Sequence, residues 1–152
     1  MKILDFLHSE TILTNLAASD KKGVLEELSA PVAETTGIKH DEIVRVLMER
    51  ESLGSTGIGK GIGIPHGKLK KLERMVIGFG LSAKGVAFDT IDDRPAHLFF
   101  LIITPEASTG LHLKLLARIS RLLREDRIRE RLTHAQNPEH VLAIIEEEDE
   151  EF

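Results

Sequence analysis

Leu98-Phe99-Phe100-Leu101-Ile102-Ile103 is an apolar run without alternation. A strand with one face in water alternates apolar and polar side chains, so an unbroken run of this length predicts a strand covered on both faces. Helices must then pack on both sides of its sheet, which is an α/β architecture. The run is far too short to span a bilayer, which takes about 20 apolar residues. The opening Met1-Lys2-Ile3-Leu4-Asp5 lacks the apolar stretch of a signal peptide. A soluble, cytoplasmic protein with no direct membrane insertion is therefore expected.

Working outward, Met75 to Leu81 and Val86 to Ile91 flank Ala83-Lys84-Gly85 and predict a hairpin. After Thr104-Pro105, Ser108 or Thr109 caps a helix to about Arg124, with Leu115, Leu116, Ile119, Leu122 and Leu123 inward. Pro138 begins a last helix whose apolar set is Val141, Leu142, Ile144 and Ile145. On the other side, Ile12 to Ala18 reads as a strand. Ser19 or Asp20 caps a helix to about Thr36, kinked at Pro31. A second helix, about Asp41 to Glu51, ends at Leu53-Gly54.

At 152 residues the chain is most simply one domain. With no cysteine there is no disulfide framework and no thiolate chemistry, which suits a reducing compartment. Six consecutive acids, Glu146 to Glu151, carry −6 of a net −5, so the rest of the chain is +1. We expect a domain over residues 1–145 and a solvated acidic tail over 146–152. A nearly neutral body without Trp or Tyr gives no sign of a nucleic-acid surface.

The chemistry is expected in residues 50–68, Arg-Glu-Ser-Leu-Gly-Ser-Thr-Gly-Ile-Gly-Lys-Gly-Ile-Gly-Ile-Pro-His-Gly-Lys. Backbone without Cβ atoms can turn its amides toward an anion, so Thr56, Gly57, Ile58, Gly59, Lys60 and Gly61 are candidate phosphate-binding positions. Pro65 biases Ile64 toward extended geometry, so Ile62 to Ile64 should be a short strand delivering His66 at its carboxyl end. Imidazole titrates near neutrality, which makes His66 a candidate phosphoacceptor.

Two residues join it. Arg50 follows Leu47 and Val46 by three and four, which places a planar, permanently charged donor at the helix end entering the loop. His112 precedes Leu115 and Leu116 by three and four, on the inward face of a helix's first turn, where free amides and the dipole favour an anion. If the His66 strand runs parallel to the Leu98 strand, the two imidazoles face each other. His97, His8, His40, His134 and His140 are assigned no function, and zinc held by His66 and His112 lacks a third ligand of convincing spacing.

A nucleotide-binding loop is the rival reading, since Gly54 to Lys60 matches G-x-x-x-x-G-K. The next residue, however, is Gly61 where Ser or Thr is needed, and Gly-Ile-Gly-Ile-Pro-His cannot open a normal helix.

Arg50-Glu51, Gly54-Ser55-Thr56-Gly57-Ile58-Gly59, Ile64-Pro65-His66-Gly67-Lys68, Phe88-Asp89, Pro105 and His112-Leu113 together resemble the EIIA domains of the mannitol/fructose class of the bacterial phosphoenolpyruvate-dependent phosphotransferase system. The resemblance implies a three-layer α/β/α sandwich around a mixed β-sheet. It implies that His66 accepts phosphate from the phosphocarrier protein HPr or a regulatory paralogue, with Arg50 and His112 assisting. It is strongest toward the nitrogen-regulatory branch, whose downstream partners are regulatory target proteins. The alternative is a sugar-specific EIIA that hands phosphate to EIIB. One departure is Gly63, where the family usually has alanine. Nitrogen is both nucleophile and leaving atom in such a transfer, so no cofactor or metal is called for.

Overall fold

The computed structural model describes residues 1–150. A single 3-10 turn, Ile3–Asp5, leads into β1 (Leu7–Leu13). Helix α1 (Lys21–Thr36) starts where the Asp20 carboxylate accepts the Gly23 amide at 2.8 Å, and it stops at Gly37, whose φ is 75°. Helix α2 (His40–Glu51) leads into three short strands, β2 (Gly57–Gly59), β3 (Ile62–Gly63) and β4 (His66–Leu69). Long strands β5 (Val76–Val86) and β6 (Ala96–Pro105) follow. Helices α3 (Thr109–Leu122), α4 (Asp126–Thr133) and α5 (Pro138–Glu148) complete the order.

The strands form one mixed sheet in the order β1-β5-β6-β3-β2, with β4 also paired to β6. Strand β6 lies antiparallel to β5 and parallel to both β3 and β4. Its unbroken apolar run splits between two cores. Leu98, Phe100 and Ile102 pack with Leu115 and Ile119 of α3, Ile128 and Leu132 of α4, and Ile144 and Ile145 of α5. Phe99, Leu101 and Ile103 pack with Val24, Leu25 and Leu28 of α1 and with Ile43 and Leu47 of α2. The architecture is therefore the expected α/β/α sandwich around a mixed β-sheet. Edge-to-face pairs pin each side, Phe79 on Phe100 at 5.1 Å and Phe88 on Phe99 at 5.2 Å. Such pairs contribute about 1 kcal/mol each beyond area burial.

Several expectations shift. Strand β1 begins at Leu7 rather than Ile12. It is an edge strand, so His8 and Glu10 tolerate exposure there and mask the pattern. Ala83-Lys84-Gly85 is no hairpin turn: β5 continues through it, the register against β6 slips between Leu81 and Val86, and Gly85 takes φ 93°. The chain reverses later, in the loop from residue 87 to 95. Helix α1 extends to Thr36 as expected, with Pro31 inside it, Val24, Leu25 and Leu28 buried before the proline and Val32 after it.

The proposed tail boundary at residue 146 falls inside α5. Asp149 is buried, accepts the Ile3 amide at 2.7 Å and pairs with Arg118. Glu147 and Glu148 are held by Arg131, and Glu148 also by Arg127. Of the expected acidic tail, Glu151 and Phe152 lie outside the described residues. Among the described residues no helix is long and apolar enough to cross a membrane.

Candidate functional site

The glycines at 57, 59, 61 and 63 recur with the strand period of two. Strands β2 and β3 are an antiparallel hairpin, and Lys60 and Gly61, with φ 58° and 77°, are its two-residue turn. A helix does not follow, which removes the nucleotide-loop reading. The glycines are small because neighbours press on them: a Cβ on Gly57 would sit 2.6 Å from Thr90, and one on Gly63 2.8 Å from the Phe99 ring. Gly63 thus leaves room for Phe99.

The expected cradle of Thr56, Gly57, Ile58, Gly59, Lys60 and Gly61 is not brought together around His66. The Gly57 amide donates to Ser55 Oγ, the Lys60 amide to Asp92, and the Thr56 amide and hydroxyl to Glu51. Ile58 is exposed and Gly59 lies beside the Asp92 carboxylate. The Gly61 carbonyl accepts from the amides of His97 and Leu98. His97 is five residues along β6 from Ile102, the partner of His66, a span of about 16 Å. Only the Thr56 end of the hairpin approaches the histidine, through the Ile64 amide donating to the Thr56 carbonyl at 3.0 Å.

His66 opens β4 instead of closing the preceding strand. Its register partner is Ile102, and β4 runs parallel to β6 as expected. Its side chain shares the face on which α3 packs, whereas Gly67 faces α2 with Val46 against it. The rings of His66 and His112 lie 5.2 Å apart, tilted by 59°. His66 is half-buried, and its Nδ1 lies 2.7 Å from the Ile64 carbonyl. A carbonyl only accepts, so Nδ1 carries the proton and Nε2 the lone pair. Burial lowers the His66 pKa, the Ile64 carbonyl works against that, and the Arg50 charge lowers it further while Glu51 raises it.

His112 is 5% exposed and its Nδ1 lies 2.8 Å from Thr104 Oγ1. Burial first, then the His66 and Lys68 charges, push its pKa down to about 4, so it is neutral at cellular pH.

Arg50, in the last turn of α2, is partly exposed and not core-facing; its Nη1 donates to the Gly54 carbonyl at 2.8 Å. Its charge still reaches His66. Two residues that the sequence left unassigned also act on the paired rings, Glu51 on His66 and Lys68 on His112. Lys68 lies two positions after His66 and so on the same strand face, and its Nζ reaches Thr109 Oγ1 at 3.0 Å, beside the first turn of α3. Ser108 forms no side-chain cap there, which leaves first-turn amides open toward that space. Glu51, with its side chain 2% exposed, receives Thr56 and pairs with Lys21 at 3.1 Å. The alternation His66, Lys68 was the available signal for Lys68. Glu51 lay hidden because a helix-terminal Glu ordinarily faces water. No third ligand joins the two imidazoles among the described residues.

What the arrangement offers is a free imidazole nitrogen, a neutral second imidazole, two cations and an uncapped helix start. Residues 5–148 match the family described as phosphoenolpyruvate-dependent sugar phosphotransferase system, EIIA 2. The chain is 39% identical, over 95% of both chains, to a nitrogen regulatory protein of Bradyrhizobium diazoefficiens. It is 36% identical to the fructose-specific EIIABC component of Bacillus subtilis, spanning 98% of itself and 24% of that protein. Among solved structures it superposes on the nitrogen regulatory protein IIA-Ntr from Neisseria meningitidis with a TM-score of 0.88 and 31% identity, covering 93% of this chain and 97% of that one. The chain therefore belongs to the EIIA 2 family of the phosphoenolpyruvate-dependent sugar phosphotransferase system, as a phosphoryl-transfer component.

Proposed function

We propose that the protein is a regulatory phosphocarrier that takes a phosphoryl group onto Nε2 of His66 from the phosphohistidine of HPr or a paralogue. The observation that carries this reading is the Nδ1–H bond to Ile64, because it leaves Nε2 unprotonated in an imidazole that burial keeps neutral. The Nε2 lone pair forms the new P–N bond as the bond to the donor imidazole breaks, and that electron pair leaves on the donor nitrogen. The positive charge that the His66 ring gains is shared with the Ile64 carbonyl through Nδ1–H. The cradle for the phosphoryl oxygens is the first turn of α3 with Lys68, His112 and Arg50, not the glycine hairpin. Positioning and electrostatics supply the rate in transfers of this kind.

Incubation with phosphoenolpyruvate, enzyme I and HPr should place an acid-labile, alkali-stable phosphate on the wild-type protein and none on His66→Ala. Label retained by His66→Ala, or absent from the wild type, overturns the reading. The regulatory assignment rests on the relatives named for nitrogen regulation. A pull-down comparing His66→Asp with His66→Ala tests it: recovery of an EIIB or sugar-permease subunit would assign the chain to sugar transport instead.

A further inference from the structure

We infer that Thr104 is a positioning residue: its hydroxyl donates to Nδ1 of His112 and so presents Nε2–H of that ring to the phosphoryl group on His66. The inference rests on the phosphocarrier reading. Neutral His112 holds one proton, and the two tautomers offer opposite chemistry at Nε2, a donor in one and a lone pair in the other. A lone pair facing phosphoryl oxygens would repel them. Which nitrogen holds the proton is decided by what the other nitrogen touches.

Nδ1 touches Thr104 Oγ1 at 2.8 Å, within the ordinary range for such a bond. The hydroxyl has a single proton and two places to send it. The alternative acceptor, the Gly67 carbonyl, lies 3.4 Å away, beyond good O–H···O distance. That carbonyl is also engaged already. The Ile102 amide donates to Pro65 and the Glu106 amide to Leu69, so the parallel ladder places the Gly67 carbonyl opposite the amide of Thr104 itself. Thr104 is fully buried, so no solvent takes the proton instead. The hydroxyl proton therefore goes to Nδ1, and the ring proton of His112 sits on Nε2. Ile64 holds His66 by its Nδ1–H, and Thr104 holds His112 by its bare Nδ1. The pair is thereby complementary, a nucleophile facing a donor.

The test is a ¹⁵N-labelled sample of the full chain. Long-range ¹H–¹⁵N correlation spectra at pH 7 should show His112 with protonated Nε2 and a hydrogen-bonded, unprotonated Nδ1, in the wild type and in Thr104→Ser. Thr104→Val keeps the shape and removes the proton donor. It should slow phosphoryl transfer from phospho-HPr about tenfold in kcat with KM unchanged, while Thr104→Ser stays within about twofold of wild type. A proton on Nδ1 of wild-type His112 overturns the inference whether or not the valine variant folds. A folded Thr104→Val that transfers at the wild-type rate overturns it as well. Phosphate uptake by His66 in the wild type judges the underlying function separately, because the tautomer is read without any phosphate present.

Discussion

Lowering the pH from 7 to 5 should weaken the fold by about 2 kcal/mol through His112 alone. The ring has a pKa of about 4 when folded, against 6.5 as its ordinary value in an unfolded chain. Between these values the unfolded state binds more protons, so stability rises with pH. The contribution is present in full above about pH 6.5 and has been lost by about pH 4. Linkage between the two states gives about 2 kcal/mol over the interval from pH 7 to 5. His66 is depressed in the same sense and stands 5.2 Å away, so a proton on either ring opposes a second on the other. Urea denaturation at the two pH values, on wild type and on His112→Gln, isolates the term. At an m-value of about 2 kcal/mol per molar, the wild-type midpoint should fall by about 1 M more than that of the variant. Equal losses in both proteins would show that His112 titrates in the folded state as it does in water.

Gly63→Ala should destabilise by about 1–3 kcal/mol, because its Cβ lands 2.8 Å from the Phe99 ring. Combining it with Phe99→Leu should recover part of that loss, and a purely additive double-mutant cycle in thermal melts would refute the packing argument. Asp149→Ala strips a buried partner from Arg118 and from the Ile3 amide and should cost about 3 kcal/mol in urea denaturation. A change below about 0.5 kcal/mol would mean that the end of α5 is not fastened there.

The layering was legible because Leu98 to Ile103 carries no polar side chain to mark an outer face, and the structure divides that run between two cores. The approach of His66 to His112 was legible for a related reason: a parallel strand pair opens both chain ends on one rim. The glycine stretch misled because the residue type that frees an amide for an anion is also the type that lets Thr90 and Phe99 press close. Its period of two pointed to strands. Helix α4 leaves little periodic signal in the sequence, because only Ile128 and Leu132 of its eight residues are buried. The acidic end reads as solvated in sequence because Arg118, Arg127 and Arg131, which neutralise it, lie too far back in the chain for charge counting to pair them with it.

One irregularity in the hairpin reaches the His66 ring. In a completed antiparallel pair, Thr56 and Ile64 would exchange two bonds. Here the Ile64 amide donates to Thr56, but the Thr56 amide is diverted to Glu51. The Ile64 carbonyl is left over and takes Nδ1 of His66. Glu51 forms no hydrogen bond with the imidazole, yet by intercepting one amide it decides which nitrogen of that ring stays bare. Lys21, which neutralises Glu51 from the first turn of α1, stands one step further back in the same chain of command.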